Sequence, residues 1–380
     1  MILAVAIAVA GSVTWQKVTV DTHFRSEAVA VADVNRDGSP DVLVGDLWYD
    51  GKTKESHEIR QPLNLGDGLE TYSEAFAVWA YDVNRDGWPD QIVIGYPGTA
   101  VKWYENPRGK TGHWKEHTAW PSACNESPLF VDLFRDRRPV LVMGVQPAGK
   151  DNEGHMAWLE PAKDPAALWT CHEFSAVSAP GTQRFSHGLG VGDINGDGRN
   201  DIVTMDGWWE QPREGRKSTK PWQFHSAKLG GPAAQLAVLD INGDGMADVI
   251  ASSAHNYGIW AAIQQPDGSF QIRDLFPKLV SSTHSLALAD LDKDGVPDLV
   301  TGKRFWAHGW NDPGAREPAR LYWLHGKRSK DKTISFEPVV VDEDSGVGTG
   351  FVVTDFDGDG GPDIVVSNKK GVHVFLQRRS

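Results

Sequence analysis

A nine-residue acidic motif recurs along this chain, and its spacing limits what the chain can fold into more than any other feature. DVNRDGSPD starts at Asp33, DVNRDGWPD at Asp82, DINGDGRND at Asp193, DINGDGMAD at Asp240, DLDKDGVPD at Asp290 and DFDGDGGPD at Asp355, with a degenerate copy, DLFRDRRPV, at Asp132. Successive first aspartates stand 47 to 65 residues apart, the length of one four-stranded β-sheet blade with variable loops. Apolar runs such as AVAVA, LGVGD or LALAD precede the motif, and DVLVG, DIVTM, DVIAS, DLVTG or DIVVS follow it. Short β-branched runs on either side of a turn-forming segment predict two antiparallel strands joined as a hairpin. Tryptophan-bearing runs (VKWYENP, MAWLEP, GWWEQP, LYWLHGK) then supply a third strand, and HWKEHTAW, LWTCHEFS or WQFHSAKL a fourth. Seven copies predict an all-β chain, a seven-bladed β-propeller of four-stranded antiparallel blades. The last blade stops at a third strand, GVHVFLQ, so SVTWQKVTV near the N terminus is expected to complete it and close the ring, leaving no exposed sheet edge.

Such a ring absorbs the whole length as one domain, 13–380. Residues 1–12 read as a secretory signal, an apolar MILAVAIAVA ending in small residues, which implies an extracytoplasmic protein. No other segment approaches the roughly 20 apolar residues that span a bilayer, so no membrane span is expected. The formal net charge of -13 argues against a nucleic-acid partner. Sixteen Trp and forty Gly against five Met favour short strands and tight turns over long helices. Cys124 and Cys171 form no C-x-x-C or metal pattern.

Oxygen-bearing side chains at alternating positions, a Gly for the turn and a closing acid are what a hard cation such as calcium requires. Six loops are complete: Asp33, Asn35, Asp37 and Asp41; Asp82, Asn84, Asp86 and Asp90; Asp193, Asn195, Asp197 and Asp201; Asp240, Asn242, Asp244 and Asp248; Asp290, Asp292, Asp294 and Asp298; Asp355, Asp357, Asp359 and Asp363. The loop at Asp132 has Phe134 and Val140 at ligand positions and is expected to hold no ion. Calcium in the six would be structural.

The register of the loops also locates the opposite face. A strand rises about 3.3 Å per residue, so six residues before each first aspartate lies roughly 20 Å from the loop. The seven blades carry Glu27, Phe76, Glu126, His187, Ala234, His284 and Thr349 there. Strand ends downstream add Asp46, Tyr96, Gln146, Asp206, His255, Lys303, Arg304, Asn368 and Lys369 to the same rim, and Arg25, Glu74, Asn125 and Arg184 lie just upstream. His57, His117, His172 and His225 recur in fourth strands and read as blade architecture. His187, His255 and His284 break the repeat and are the functional candidates. Two imidazoles with Glu126 or Glu27 suit zinc or another divalent transition ion; an acid/base set without metal is the alternative. Arg184, Asp206, Trp208 and Arg304 are candidates for binding a sugar.

The motif and its period resemble the FG-GAP or VCBS repeats of integrin-type propellers, which implies cation loops on one face and ligand binding near the axis at the other. FRSEAVAVADVN, ACNESPLF, RFSHGLGVGDINGDGR, GWWEQP, SSAHNYGIW, STHSLALAD and GKRFWAHG together resemble the propeller domain of aldos-2-ulose dehydratases. Those enzymes remove water from keto-sugars such as 1,5-anhydrofructose, and the resemblance implies a metal-bearing site in the channel. The cupin domains of the fungal enzymes have no counterpart in this sequence. On this reading His187, His284 and Glu126 hold the metal, Glu27 is a further ligand or base, and His255 and Lys303 serve proton transfer and oxyanion stabilisation. The competing expectations are a carbohydrate-binding or adhesion propeller without turnover, and a polysaccharide lyase using Arg25, Arg184 and Arg304 against uronates.

Overall fold

Near-continuous apolar runs along the short second strands, buried at every position in most blades, make each sheet apolar on both faces, so every sheet must be covered twice. A ring of radial blades meets that demand. The computed structural model describes residues 13–147, 150 and 153–379; the expected signal at 1–12 lies outside them. Seven four-stranded antiparallel sheets make up the described chain, here called blades 1 to 7 in the order of their acidic loops. Blade 1 consists of Ala30–Ala32, Asp41–Leu43, Leu47–Tyr49 and Ser56–Glu58. Blade 7 consists of Val352–Thr354, Asp363–Asn368, Gly371–Arg379 and, as its outermost strand, Val13–Asp21 from the other end of the chain. Val13 faces Arg379 and Thr19 faces His373 in that pairing.

Period-two alternation sends successive side chains to opposite neighbours. Leu141, Met143 and Val145 of blade 3 pack on blade 2, whereas Val140 and Val142 pack on blade 4. Seven apolar clusters result, one at each junction from blades 1 and 2 round to blades 7 and 1. Trp103 and Trp209 are among the largest fully buried side chains; cutting either to alanine would cost about 3–5 kcal/mol.

Four blades share a ladder at their outer edge. Trp48 stacks on His57, Trp103 on His117, Trp158 on His172 and Trp208 on His225, with centroids 3.7 to 4.3 Å apart. Each pair is directly opposed in register. The four histidines are therefore architectural, as their recurrence implied. Cys124 and Cys171 are free thiols.

The acidic hairpins have a common construction. In the first, Asp33 accepts the N–H groups of Asp37 and Gly38, while the closing Asp41 accepts those of Val34 and Gly51. The same double clasp by the closing acid recurs at Asp90, Asp201, Asp248, Asp298 and Asp363. These closing residues thus pin the hairpin to the third strand in addition to any cation role. Burial pushes Asp41 and Asp201 up to about 6 and Asp90 up to about 7, a cost of clustering carboxylates that a bound cation would relieve. In the degenerate loop Asp136 is instead paired with Arg216 and Arg138.

Candidate functional site

Innermost strands of neighbouring blades touch around the axis, so the residues that enter them converge. Glu27, Glu126, His187 and His284 each stand two or three positions before an innermost strand. His255, Arg304 and Lys369 stand just beyond the second strands of blades 5, 6 and 7. All seven therefore gather at the end of the ring away from the acidic loops. Space on the axis is tight: a Cβ on Gly348 would collide with the Glu27 carbonyl.

A cleft of about 740 Å³ opens here, lined among others by Glu126, His187, His255, His308 and Arg304. Three crossovers, 59–76, 174–188 and 227–236, and an insertion in blade 6, 303–320, build its walls. Tyr72, Phe76, Tyr96 and Phe185 form an aromatic wall with neighbouring centroids 5.3 to 6.0 Å apart. Phe185 adopts a left-handed backbone, φ 66, at the lip, a conformation costly for a bulky side chain and typical of functional strain.

Histidines form the facing wall. Ring centroids are 4.7 Å apart for His187 and His255, 5.2 Å for His255 and His284, and 5.7 Å for His187 and His284. One ligand atom from each lies within 4.8 Å of the others. His284 Nδ1 is 3.4 Å from the Ser282 carbonyl, which orients the ring, and its Nε2 is buried without a hydrogen-bond partner. Burial pulls His284 well below the usual imidazole range and His255 down to about 4, so both are neutral, ligand-competent imidazoles at pH 7. Glu126 Oε2 is 3.1 Å from His187 Nε2 yet out of hydrogen-bond alignment with it. Burial raises the Glu126 pKa, but His187 and Arg304 outweigh it and hold the carboxyl below its ordinary value.

Beneath the cleft lies a buried ion cluster. Glu27 pairs with Lys369 at 2.9 Å and with Arg304 at 3.2 Å, and Lys369 also donates to the Thr71 carbonyl. Despite full burial, Arg304 and Lys369 keep Glu27 ionised.

The candidates from sequence separate accordingly. Glu126, His187, His255, Arg184, Asp206 and Arg304 line the cleft, and His284 stands against the other two imidazoles. Glu27 is wholly buried and consumed by its two cations. Lys303 is buried, donates to Ser281 Oγ at 2.8 Å, and does not line the cleft. Trp208 packs between blades 4 and 5 on His225. Arg184 lies on the lip, its Nε donating to the Pro97 carbonyl. His308 and Asp312, joined at 3.0 Å, were not anticipated; the unusually long interval from Asp290 to Asp355 was the signal that blade 6 holds an insertion.

His187 Nε2, His255 Nδ1, His284 Nε2, Glu126 Oε2 and Arg304 Nη2 are all buried without a hydrogen-bond partner. One ring nitrogen from each of His187, His255 and His284, within 4.8 Å of one another and beside the Glu126 carboxylate, is a donor set that fits a divalent transition ion.

Fold and site together define a seven-bladed propeller with acidic hairpins at one face and a histidine-walled axial cleft at the other. Within it, residues 240–301, from the loop of blade 5 through the second strand of blade 6, match the FG-GAP-like repeat family. No curated protein matches the chain in sequence. Among solved structures it is similar to an Agrocybe aegerita lectin described as recognising non-reducing terminal N-acetylglucosamine, at 18% identity over 92% of this chain and 84% of that one, TM-score 0.48. It is also similar to the Photorhabdus luminescens Tc holotoxin pore, at 16% identity over 84% of this chain and 14% of that one, TM-score 0.39. A third likeness is to the V. cholerae biofilm matrix protein Bap1, at 18% identity over 73% and 43%, TM-score 0.35.

Proposed function

We propose that this chain is a metal-dependent carbon-oxygen lyase that performs β-elimination on a keto-sugar or oxidised glycoside held in the axial cleft of a calcium-stabilised propeller. The observation that carries the reading is the clustering of five buried, unpartnered polar atoms, on His187, His255, Glu126 and Arg304, which line one cleft, and on His284, packed against the two imidazoles. Each such atom costs about 1–3 kcal/mol, so a cluster of them points to a site that a ligand completes. The resemblance to aldos-2-ulose dehydratases supports the substrate class. The calcium-type loops support an extracytoplasmic location, where calcium is abundant enough for weak sites.

A divalent transition ion on His187, His255 and His284 would supply a Lewis acid that polarises a bound ketone and acidifies the adjacent C–H. Glu126, ionised beside that position, accepts the proton. A C=C bond then forms as the C–O bond at the β carbon breaks, and the departing oxygen takes up the proton that Glu126 accepted, leaving as water or an alcohol and restoring the carboxylate. Arg304 Nη2 offers its unused N–H groups to a substrate oxygen. The wall of Tyr72, Phe76, Tyr96 and Phe185 suits the C–H face of a sugar ring and limits water. In this assignment His255 is a ligand, and Lys303 and Glu27 hold the framework.

The same aromatic wall favours a second reading, carbohydrate binding without turnover. Incubating the metal-loaded protein with 1,5-anhydrofructose and a panel of other keto-sugars separates the two. An ultraviolet enone band that is lost in His187→Ala and His284→Ala is the expected outcome. Sugar binding with no enone from any keto-sugar would sink the lyase and leave the binding protein.

A further inference from the structure

The insertion 303–320 carries a short strand, Ala307–Trp310, that belongs to no blade. It brings His308 against His255, with centroids 4.4 Å apart and planes at 40°. Asp312 lies between them. Its Oδ2 is 3.0 Å from His308 Nδ1 and 3.8 Å from His255 Nδ1, a buried nitrogen without a hydrogen-bond partner. A separation of 3.8 Å is too long for a hydrogen bond. It does suit two ligands of one ion, since donors 2.0–2.1 Å from a tetrahedral metal stand about 3.4 Å apart. One donor atom from each of His255, His308 and Asp312 lies within 4.8 Å of the others. Two imidazoles and one carboxylate favour a transition ion over the calcium that all-oxygen loops select.

We propose that His255, His308 and Asp312 form a second transition-metal site beside the one at His187, His255 and His284, with the His255 imidazole shared between them. Nδ1, the nitrogen nearest Asp312, would serve the second ion and Nε2 the inner one, once the ring's N–H proton is released to solvent. The proposal rests on the metal centre assigned above and extends it to a two-ion site. His308 is exposed and Asp312 partly so, which puts the second ion at the mouth of the cleft. There it exchanges with solvent more readily than the inner one.

Cobalt titration of the full chain, stripped of transition metals and kept in excess calcium so that the oxygen-only loops stay filled, tests the idea. Nitrogen-ligated Co²⁺ of low coordination number absorbs strongly in the visible, whereas all-oxygen octahedral Co²⁺ does so weakly. Two strongly absorbing equivalents are expected in the wild type. His308→Ala and Asp312→Asn should each weaken the second by more than the roughly 10- to 100-fold that losing an outer-shell partner costs, with the first equivalent and the melting temperature unchanged. A single equivalent in the wild type would overturn the second site while leaving the inner centre standing. Two equivalents surviving in both variants would likewise overturn it. No strongly absorbing cobalt at all would bring down the inner centre too.

Discussion

Arg216 grips Asp136 with two hydrogen bonds, Nε to Oδ2 at 2.7 Å and Nη2 to Oδ1 at 2.9 Å, in the one acidic hairpin whose sequence lacks the cation set. Arg138 adds a third contact at 2.7 Å, and the Arg216 guanidinium also covers the Phe134 ring at 4.6 Å. A fixed guanidinium stands where the other hairpins offer carboxylates to an ion. Asp136 is largely solvated, so screening limits the pair. Arg216→Ala should lower stability by about 1 kcal/mol, and by the same amount with or without chelator, as read from paired thermal melts.

Chelation itself should act on the other hairpins. Each ion that binds only the folded ring adds about 2.7 kcal/mol at a hundredfold excess over its dissociation constant, so EDTA should lower the melting temperature and calcium restore it. Basic side chains already rest on several of these carboxylates: Lys52 on Asp37 at 3.2 Å, Arg108 on Asp86 at 2.8 Å, His325 on Asp292 at 2.9 Å and Arg378 on Asp357 at 2.6 Å. They must swing aside for an ion. Arg108→Ala should therefore tighten the blade 2 hairpin about two- to fivefold. Terbium luminescence sensitised by Trp88, which sits in that hairpin, reads the change, with Trp88→Phe as control.

Acid should loosen the ring at its seam. Asp21, the last residue of the closing strand, bonds the Tyr49 hydroxyl at 2.5 Å and Arg25 Nε at 2.7 Å. Burial alone would raise its pKa, but Tyr49, His23 and Arg25 outweigh that and depress it well below the ordinary carboxylate range. A depressed carboxyl contributes stability above its unfolded pKa and loses it as pH falls through the folded one. Thermal melts should thus show a decline beginning below about pH 4. Asp21→Asn should cost about 1–3 kcal/mol at pH 7 and flatten that acid limb. An unaltered limb in the variant would mean that other carboxylates control it.

Arg137 occupies φ 63 at the hairpin position where the six intact loops carry glycine. A left-handed conformation costs an L-residue roughly 1–2 kcal/mol, partly offset by the entropy that glycine loses on folding. Arg137→Gly should stabilise the protein by about 0.5–1 kcal/mol in urea titrations.

The blade count, the closing strand and the loop register were legible because each rests on a repeat, and repeats are local. Counting back from the loops placed Glu126, His187 and His284 at the axis correctly. Glu27 shared their register, but its partner Lys369 lies 342 positions away, and nothing in the motif says that the pair forms. Lys303 and Arg304 are neighbours in sequence that part company in space, one toward Ser281 and the other toward Glu27, because adjacent residues at a strand end point to opposite sides. Trp208 and Trp209 likewise divide between two blade junctions. His308 and Asp312 sit in an insertion with no counterpart in the other blades, so no register could find them. Only its excess length was visible.

Thr19 meets His373 across 354 positions of sequence, which sets an order on the birth of the molecule. The strand Val13–Asp21 is made before every other blade strand described and can dock only when Gly371–Arg379, which follows them, has emerged. Until then blade 7 presents a bare edge, and blades 1 and 7 cannot seal their junction. Ring closure therefore waits on contacts of the largest sequence separation in the fold, the kind that form slowly and leave apolar surface open in the meantime.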